Sequence, residues 1–233
     1  MIDRQQPPDD EYLRNHSLAD ARQRAVNLRQ SLPEAVSVAA LGVKSRTPFH
    51  ILCAREAMAW RTEELSRTAC DAIEKGDIAA GILLTRAVME STAYIWRLRK
   101  LLTTRAQKKP DEFHDAAWAM FAGWKNVPVF PQSVNIQTLI EDIDKTICGF
   151  QKGYALLSEV AHPNYSGVAA IFSEFDKPNF VMKFPGNQRG IDMKSQTAIE
   201  MLATSLDLFM FAYNKISDEM PGYLVELEPI AQT

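Results

Sequence analysis

The sequence predicts an all-α fold, a multi-helix bundle built on long antiparallel helices with one small β-hairpin late in the chain. Three observations predict it. Apolar residues recur at three- and four-residue steps through several long segments. Most prolines fall between those segments rather than inside them. Only one stretch, Ala169 to Phe184, is rich in aromatic and β-branched residues around a turn signal, "DKPN".

The opening residues, "MIDRQQPPDDEY", are polar and acidic and carry no apolar run of the kind a secretory leader needs. A frayed tail is expected over 1–12 and a single helical domain over 13–233. "EYLRNHSLADARQRAVNLRQSL" has helical spacing, and Pro33 ends it. "PEAVSVAALGVKSRTPF" reads as a connecting loop. "HILCAREAMAWRTEELSRTACDAIEKG" reads as a long helix that closes on Gly76. Asp77 is placed to cap the next helix, which runs to about Thr104. So short a link makes the two long helices an antiparallel pair.

"PDEFHDAAWAMFAG" is a shorter helix with Pro110 in its first turn. A proline-broken loop follows, and Asn135 can cap what comes next. "IQTLIEDIDKTI" and "FQKGYALLSEVA" read as two helices separated near Gly149. The hairpin is expected at Ala169–Phe175 and Phe180–Phe184, and "SQTAIEMLATSLDLFMFAYNKISDEM" is a last helix ending before Pro221.

The chain's 233 residues bury a sizeable core without disulfides. A net charge of −3 provides no global field for nucleic acid, so any such contact needs a local patch. Cys53, Cys70 and Cys148 show no metal or disulfide spacing, which fits a reducing, cytoplasmic setting. The apolar stretch Asp77–Trp96 carries Arg86 and Glu90 in its middle, which argues for a core helix over a membrane span. There is no glycine-rich phosphate loop, and "EDID" lacks calcium-loop spacing. Neither cofactor nor metal is expected.

Two places concentrate chemistry. Arg86 and Glu90 lie four apart on one face of an apolar helix, where desolvation costs several kcal/mol per ion unless the charges are paired. They read either as a pair that fixes helix packing or as part of a polar site. In "YALLSEVAHPNYSG", Pro163 disfavours helical geometry at His162, which puts that imidazole at a helix C-terminus. Glu159 stands three residues earlier, and Asn164 and Tyr165 add hydrogen-bonding groups beyond the helix end. His162 reads either as an acid–base group or as a cap that shapes the turn. Glu159-x-x-His162 is half of a di-iron pattern whose second half is missing. The basic run "WRLRKLLTTRAQKK" reads as a phosphate-binding patch or as a solvated helix end.

"LLTRAVMESTAYIW" followed by "YALLSEVAHPNYSG" resembles bacterial helical proteins of the HEPN superfamily, in particular uncharacterised and abortive-infection-like branches. The resemblance covers roughly Arg46 to Lys215 by layout. It implies a helical bundle, a homodimer, and a metal-independent ribonuclease of stress or phage defence, with RNA or an antitoxin as partner. The family's arginine four to six residues before its histidine is absent here, so Arg86 takes that place in the expectation. On this reading His162 is the acid–base, Arg86 steadies the phosphate, Glu90 and Glu159 orient them, Asn164 fixes the loop or meets substrate, and Tyr165 meets substrate. A second reading is a non-catalytic homodimerisation or partner-binding module. A third is a small-molecule pocket between the helix pair and the β-hairpin, with Arg86 or Arg189 holding an anionic group.

Overall fold

A computed structural model describes residues 16–184 and 193–228. The expected tail at 1–12 and Arg189 lie outside the described residues. The helices are α1 (Leu18–Gln30), α2 (Thr47–Glu74), α3 (Ile78–Thr103), α4 (Pro110–Ala122), α5 (Ile136–Asp144), α6 (Phe150–Ala161), α7 (Ala169–Phe172) and α8 (Met193–Val225). One antiparallel hairpin pairs β1 (Glu174–Asp176) with β2 (Val181–Lys183). The architecture is the all-α bundle with a late hairpin that the periodicity predicts.

Local chemistry explains the element ends. At α1 the Ser17 hydroxyl accepts from the Asp20 amide at 3.1 Å, while Asp20 accepts from the Ser17 amide at 2.8 Å. This reciprocal cap satisfies two amides that the helix leaves open. α2 starts before the expected His50, because Pro48 fits a first turn whose amides are unpaired anyway. It ends as expected at Gly76, whose φ of +81° suits glycine. The Gly76 amide donates to the Ile73 carbonyl at 3.1 Å and the Asp77 amide to the Ala72 carbonyl at 2.8 Å. That closed turn sends the chain straight back into α3. Gly81 lets the two helices come close, since a Cβ there would lie 2.4 Å from Ile73 Cγ1.

α3 is the centre of the bundle. It packs against α2, α4, α5, α6 and α8, while α1 covers α2 and α8. By length and composition α3 is apolar enough to cross a membrane, yet here Ile82, Val88, Met89, Leu98 and Leu102 are fully buried against its neighbours. Leu202, Leu206, Phe209 and Ile216 of α8 complete that layer.

Two further boundaries differ from expectation. Ala169–Phe172 is a helical turn, not the start of a strand. The Phe172 amide bonds the Val168 carbonyl and the Ser173 amide bonds the Ala169 carbonyl, both locally. The opposite strand is too short to take these groups, so the local bonds win. α8 runs through Pro221 to Val225. Proline removes one helix bond, but Met220 and Tyr223 are buried on either side and hold the last turn down.

His50 joins α2 to α4. Its ring stacks on Phe121 at 5.5 Å and sits 4.8 Å from Trp118 and 5.8 Å from His114. Burial, followed by the charges of His114 and Arg46, pushes the imidazole below its ordinary 6.5. The unfolded chain therefore takes up this proton at a higher pH than the fold does. His50 leaves stability undiminished above pH 6.5 and erodes it as pH falls below that value. Urea titrations at pH 7 and pH 5 should show a lower midpoint at pH 5, and His50→Gln should show a smaller drop between the two.

Candidate functional site

The α3–α6 seam holds the most unusual chemistry. Arg86 Nη2 donates to the Tyr154 hydroxyl at 2.9 Å, and that hydroxyl donates to Glu90 Oε1 at 2.8 Å. Arg86 and Glu90 also approach directly, at 3.4 Å. The guanidinium carbon lies 5.1 Å from the Tyr154 ring centroid. The phenol is thus the shared partner of both charges. Burial pushes its pKa up, Arg86 pulls it down and Glu90 holds it up, with a net shift above the ordinary 10. It stays protonated at neutral pH and can donate to the carboxylate.

A second cluster of the same parts gives a comparison. Arg55 is bonded to Glu56 on α2, Tyr213 of α8 donates to Glu56 Oε2 at 2.6 Å, and the Arg55 guanidinium sits 4.4 Å from the Tyr213 ring centroid. Burial first, and then the bond to Glu56, pushes the Tyr213 phenol up to about 12. That cluster is sealed, with side-chain exposures of 12% for Arg55 and 10% for Glu56. Arg86 and Glu90 are half-open, at 31% and 29%. Beside Glu90 lies a cavity of about 220 Å³ with Arg61, Ser91 and Tyr94 in its wall. The Tyr94 hydroxyl donates to the Met120 carbonyl.

The other expected residues gather at a different place. α6 ends at His162, where φ −88° and ψ 146° turn the backbone out of the helix, as Pro163 requires. The Asn164 side chain donates to Glu159 Oε2 at 2.9 Å and accepts from the Gly167 amide at 3.0 Å. Glu159 is therefore tied to Asn164. His162 and Tyr165 are exposed. Gly167 is needed here, because a Cβ would lie 2.1 Å from the His162 carbonyl oxygen and 2.5 Å from that of Val160.

Tyr154, Ser158 and His162 stand four apart, so one stripe of α6 leads from the Arg86–Glu90 pair to the histidine. Eight helical steps take the chain from Tyr154 to His162, a rise of about 12 Å. One group is thus Arg86, Glu90 and Tyr154, and the other is Glu159, Asn164 and His162. Tyr154 was not singled out from sequence, although its four-residue spacing to Ser158 and His162 was there to be read. Within α3 the cations of the basic run have partners in the molecule, while Lys108 and Lys109 lie beyond the helix and are exposed. Lys100 and Arg97 reach Asp142 at 2.5 and 3.6 Å, and Arg99 lies 4.2 Å from the Trp96 ring centroid. Among the described residues no group of three or more His, Cys, Asp or Glu is placed to hold a metal ion.

No protein-family model, curated protein or solved structure matches the chain.

The corner after α6 rests on backbone contacts that cannot yield. Gly167→Ala should cost about 1–3 kcal/mol through overpacking. Hydrogen exchange should quicken at the amides of Asn164 and Val168, which bond the His162 and Asn164 carbonyls. Unchanged protection would show that the corner is not the rigid element described.

Proposed function

We propose that the chain is a HEPN-like effector that acts on RNA, of the kind used in bacterial stress or phage defence. The observation that supports this reading most is that the Arg86–Tyr154–Glu90 cluster is half-open, so that its guanidinium can meet a phosphate from outside. An exposed imidazole at a helix C-terminus is a usable base. A half-exposed guanidinium is a usable phosphate ligand. In the reaction, His162 takes the proton of a ribose 2′-hydroxyl as that oxygen attacks the adjacent phosphorus. The bond from phosphorus to the 5′-oxygen breaks, and the leaving oxygen takes a proton from water. Arg86 balances the charge that builds on the phosphate. The rise along α6 separates the two groups within one chain, so the reading has them meet across two copies.

A second reading, a non-catalytic module that binds a second copy of this chain, is favoured by the β-hairpin. Its strands pair with each other, and among the described residues they make no extensive contact with any helix. Phe180 and Phe184 are 86% and 75% exposed, and Phe175, Val181 and Met182 are half-exposed beside them. An isolated two-stranded hairpin is marginal in water, and a contiguous apolar surface of this kind marks an interface.

The catalytic reading predicts cleavage of a mixed-sequence RNA by the purified chain in the presence of EDTA. His162→Ala and Arg86→Ala should each slow it by about a hundredfold or more. Absence of cleavage, or cleavage that both variants retain, removes this reading. The hairpin reading predicts a dimer by size-exclusion chromatography with light scattering. Phe175→Asp with Phe180→Asp should leave a monomer whose helical circular dichroism is unchanged, and a monomeric unsubstituted chain would overturn it.

A further inference from the structure

A cavity of about 470 Å³ lies where the ends of α3 and α8 meet the starts of α2 and α4. It is separate from the α3–α6 cluster and shares no lining residue with the smaller cavity beside Glu90. Its size falls within the range of about 300–1,000 Å³ typical of small-molecule sites. Its lining is ordered in three ways.

Phe113 and Tyr223, both buried, supply an aromatic surface, with their rings edge to face at 5.4 Å. The Thr47 hydroxyl lies 2.7 Å from His114 Nδ1 and 3.2 Å from the Ser45 hydroxyl. These polar groups are oriented by one another before any ligand arrives. Charge is the third feature. Arg105 is held by Glu226 at 3.0 Å and Glu219 at 3.3 Å, so its charge is already balanced. Lys109 and Glu112 pair with each other at 3.6 Å, outside the lining. Lys108 and Asp111 line the cavity, and neither makes an ion pair among the described residues.

The cavity therefore presents one open ammonium, one open carboxylate and an aromatic surface. We propose that it binds a small aromatic zwitterion of the α-amino-acid class. Lys108 takes the ligand's carboxylate, Asp111 takes its ammonium, and the ligand ring lies against Phe113 and Tyr223. A simple anion would leave Asp111 facing like charge, and a simple cation would leave Lys108 so. Only a ligand with both charges answers both residues.

The test uses the full chain and four probes: L-tryptophan, L-phenylalanine, tryptamine, which lacks the carboxylate, and indole-3-propionate, which lacks the ammonium. Calorimetry or saturation-transfer NMR should give L-tryptophan a Kd of about 1 mM or below. Each one-charge relative should bind about threefold to tenfold more weakly. Lys108→Gln should abolish the advantage of L-tryptophan over tryptamine, and Asp111→Asn its advantage over indole-3-propionate. Both residues are exposed, so the fold should survive, and circular dichroism checks that. The proposal is overturned if neither amino acid binds at millimolar concentration. It is also overturned if a one-charge relative binds as tightly as L-tryptophan, or if binding ignores both substitutions.

Discussion

The structure depends on how α3 is enclosed. Five helices pack around it, yet it carries Arg86, Glu90, Arg97, Arg99 and Lys100. An ion moved into that setting without a partner costs several kcal/mol. The surrounding helices must therefore supply polar partners as well as apolar surface. α6 supplies Tyr154 to the first two charges, α5 supplies Asp142 to Arg97 and Lys100, and Trp96 of α3 with Phe211 of α8 supplies aromatic faces to Arg99. Asp142 shows the balance. Burial raises its pKa, but the hydrogen bond and charge of Lys100, followed by Arg97 and Lys145, more than offset this and hold it below 3.8. The carboxylate is ionised wherever the bundle is folded at neutral pH, and the seat of α5 on α3 follows from it.

This arrangement explains which parts of the fold were legible in the sequence. Helix existence was legible because apolar periodicity and terminal chemistry agree, as at Gly76 and at Asn135, whose side chain accepts from the Gln137 amide at 2.9 Å. Two ends were not legible, each for a tertiary reason. Ala169 to Phe172 has strand-like composition, but a strand needs a partner of equal length, and β2 is only three residues long. Pro221 is a local stop signal, but Met220 and Tyr223 are anchored from outside the helix. Local rules cannot see either cause.

The site was legible in the same uneven way. Arg86 and Glu90 stood out because two charges four apart on an apolar helix demand a partner. The partner did not stand out, since a tyrosine within "FQKGYALLSEVA" reads as core until the facing helix is known. The basic run from Trp96 to Lys109 was open to a nucleic-acid reading for the opposite reason: the carboxylates that hold Arg97, Lys100 and Arg105 are Asp142, Glu219 and Glu226, all distant in sequence. Glu159 and His162 looked coupled by their spacing. The departure of the backbone at His162 instead brings Asn164 to Glu159.

The two Arg–Tyr–Glu clusters give the strongest argument that the half-open one has a use beyond packing. Sealing an ion pair with a shared phenol strengthens its mutual attraction, because the local dielectric falls. The Arg55–Glu56–Tyr213 cluster is built that way. The Arg86–Glu90–Tyr154 cluster is partly desolvated but remains screened by water on its open side, so it is the weaker device for holding helices together. What the open arrangement retains is exchange. Glu90 can give up its contact with Arg86 while keeping the Tyr154 hydroxyl, and Arg86 can then meet an acid group from outside without leaving a buried ion unpaired. In the Arg55 cluster Glu56 is buried, so moving Arg55 away from it would leave that carboxylate in the core with only the Tyr213 hydroxyl.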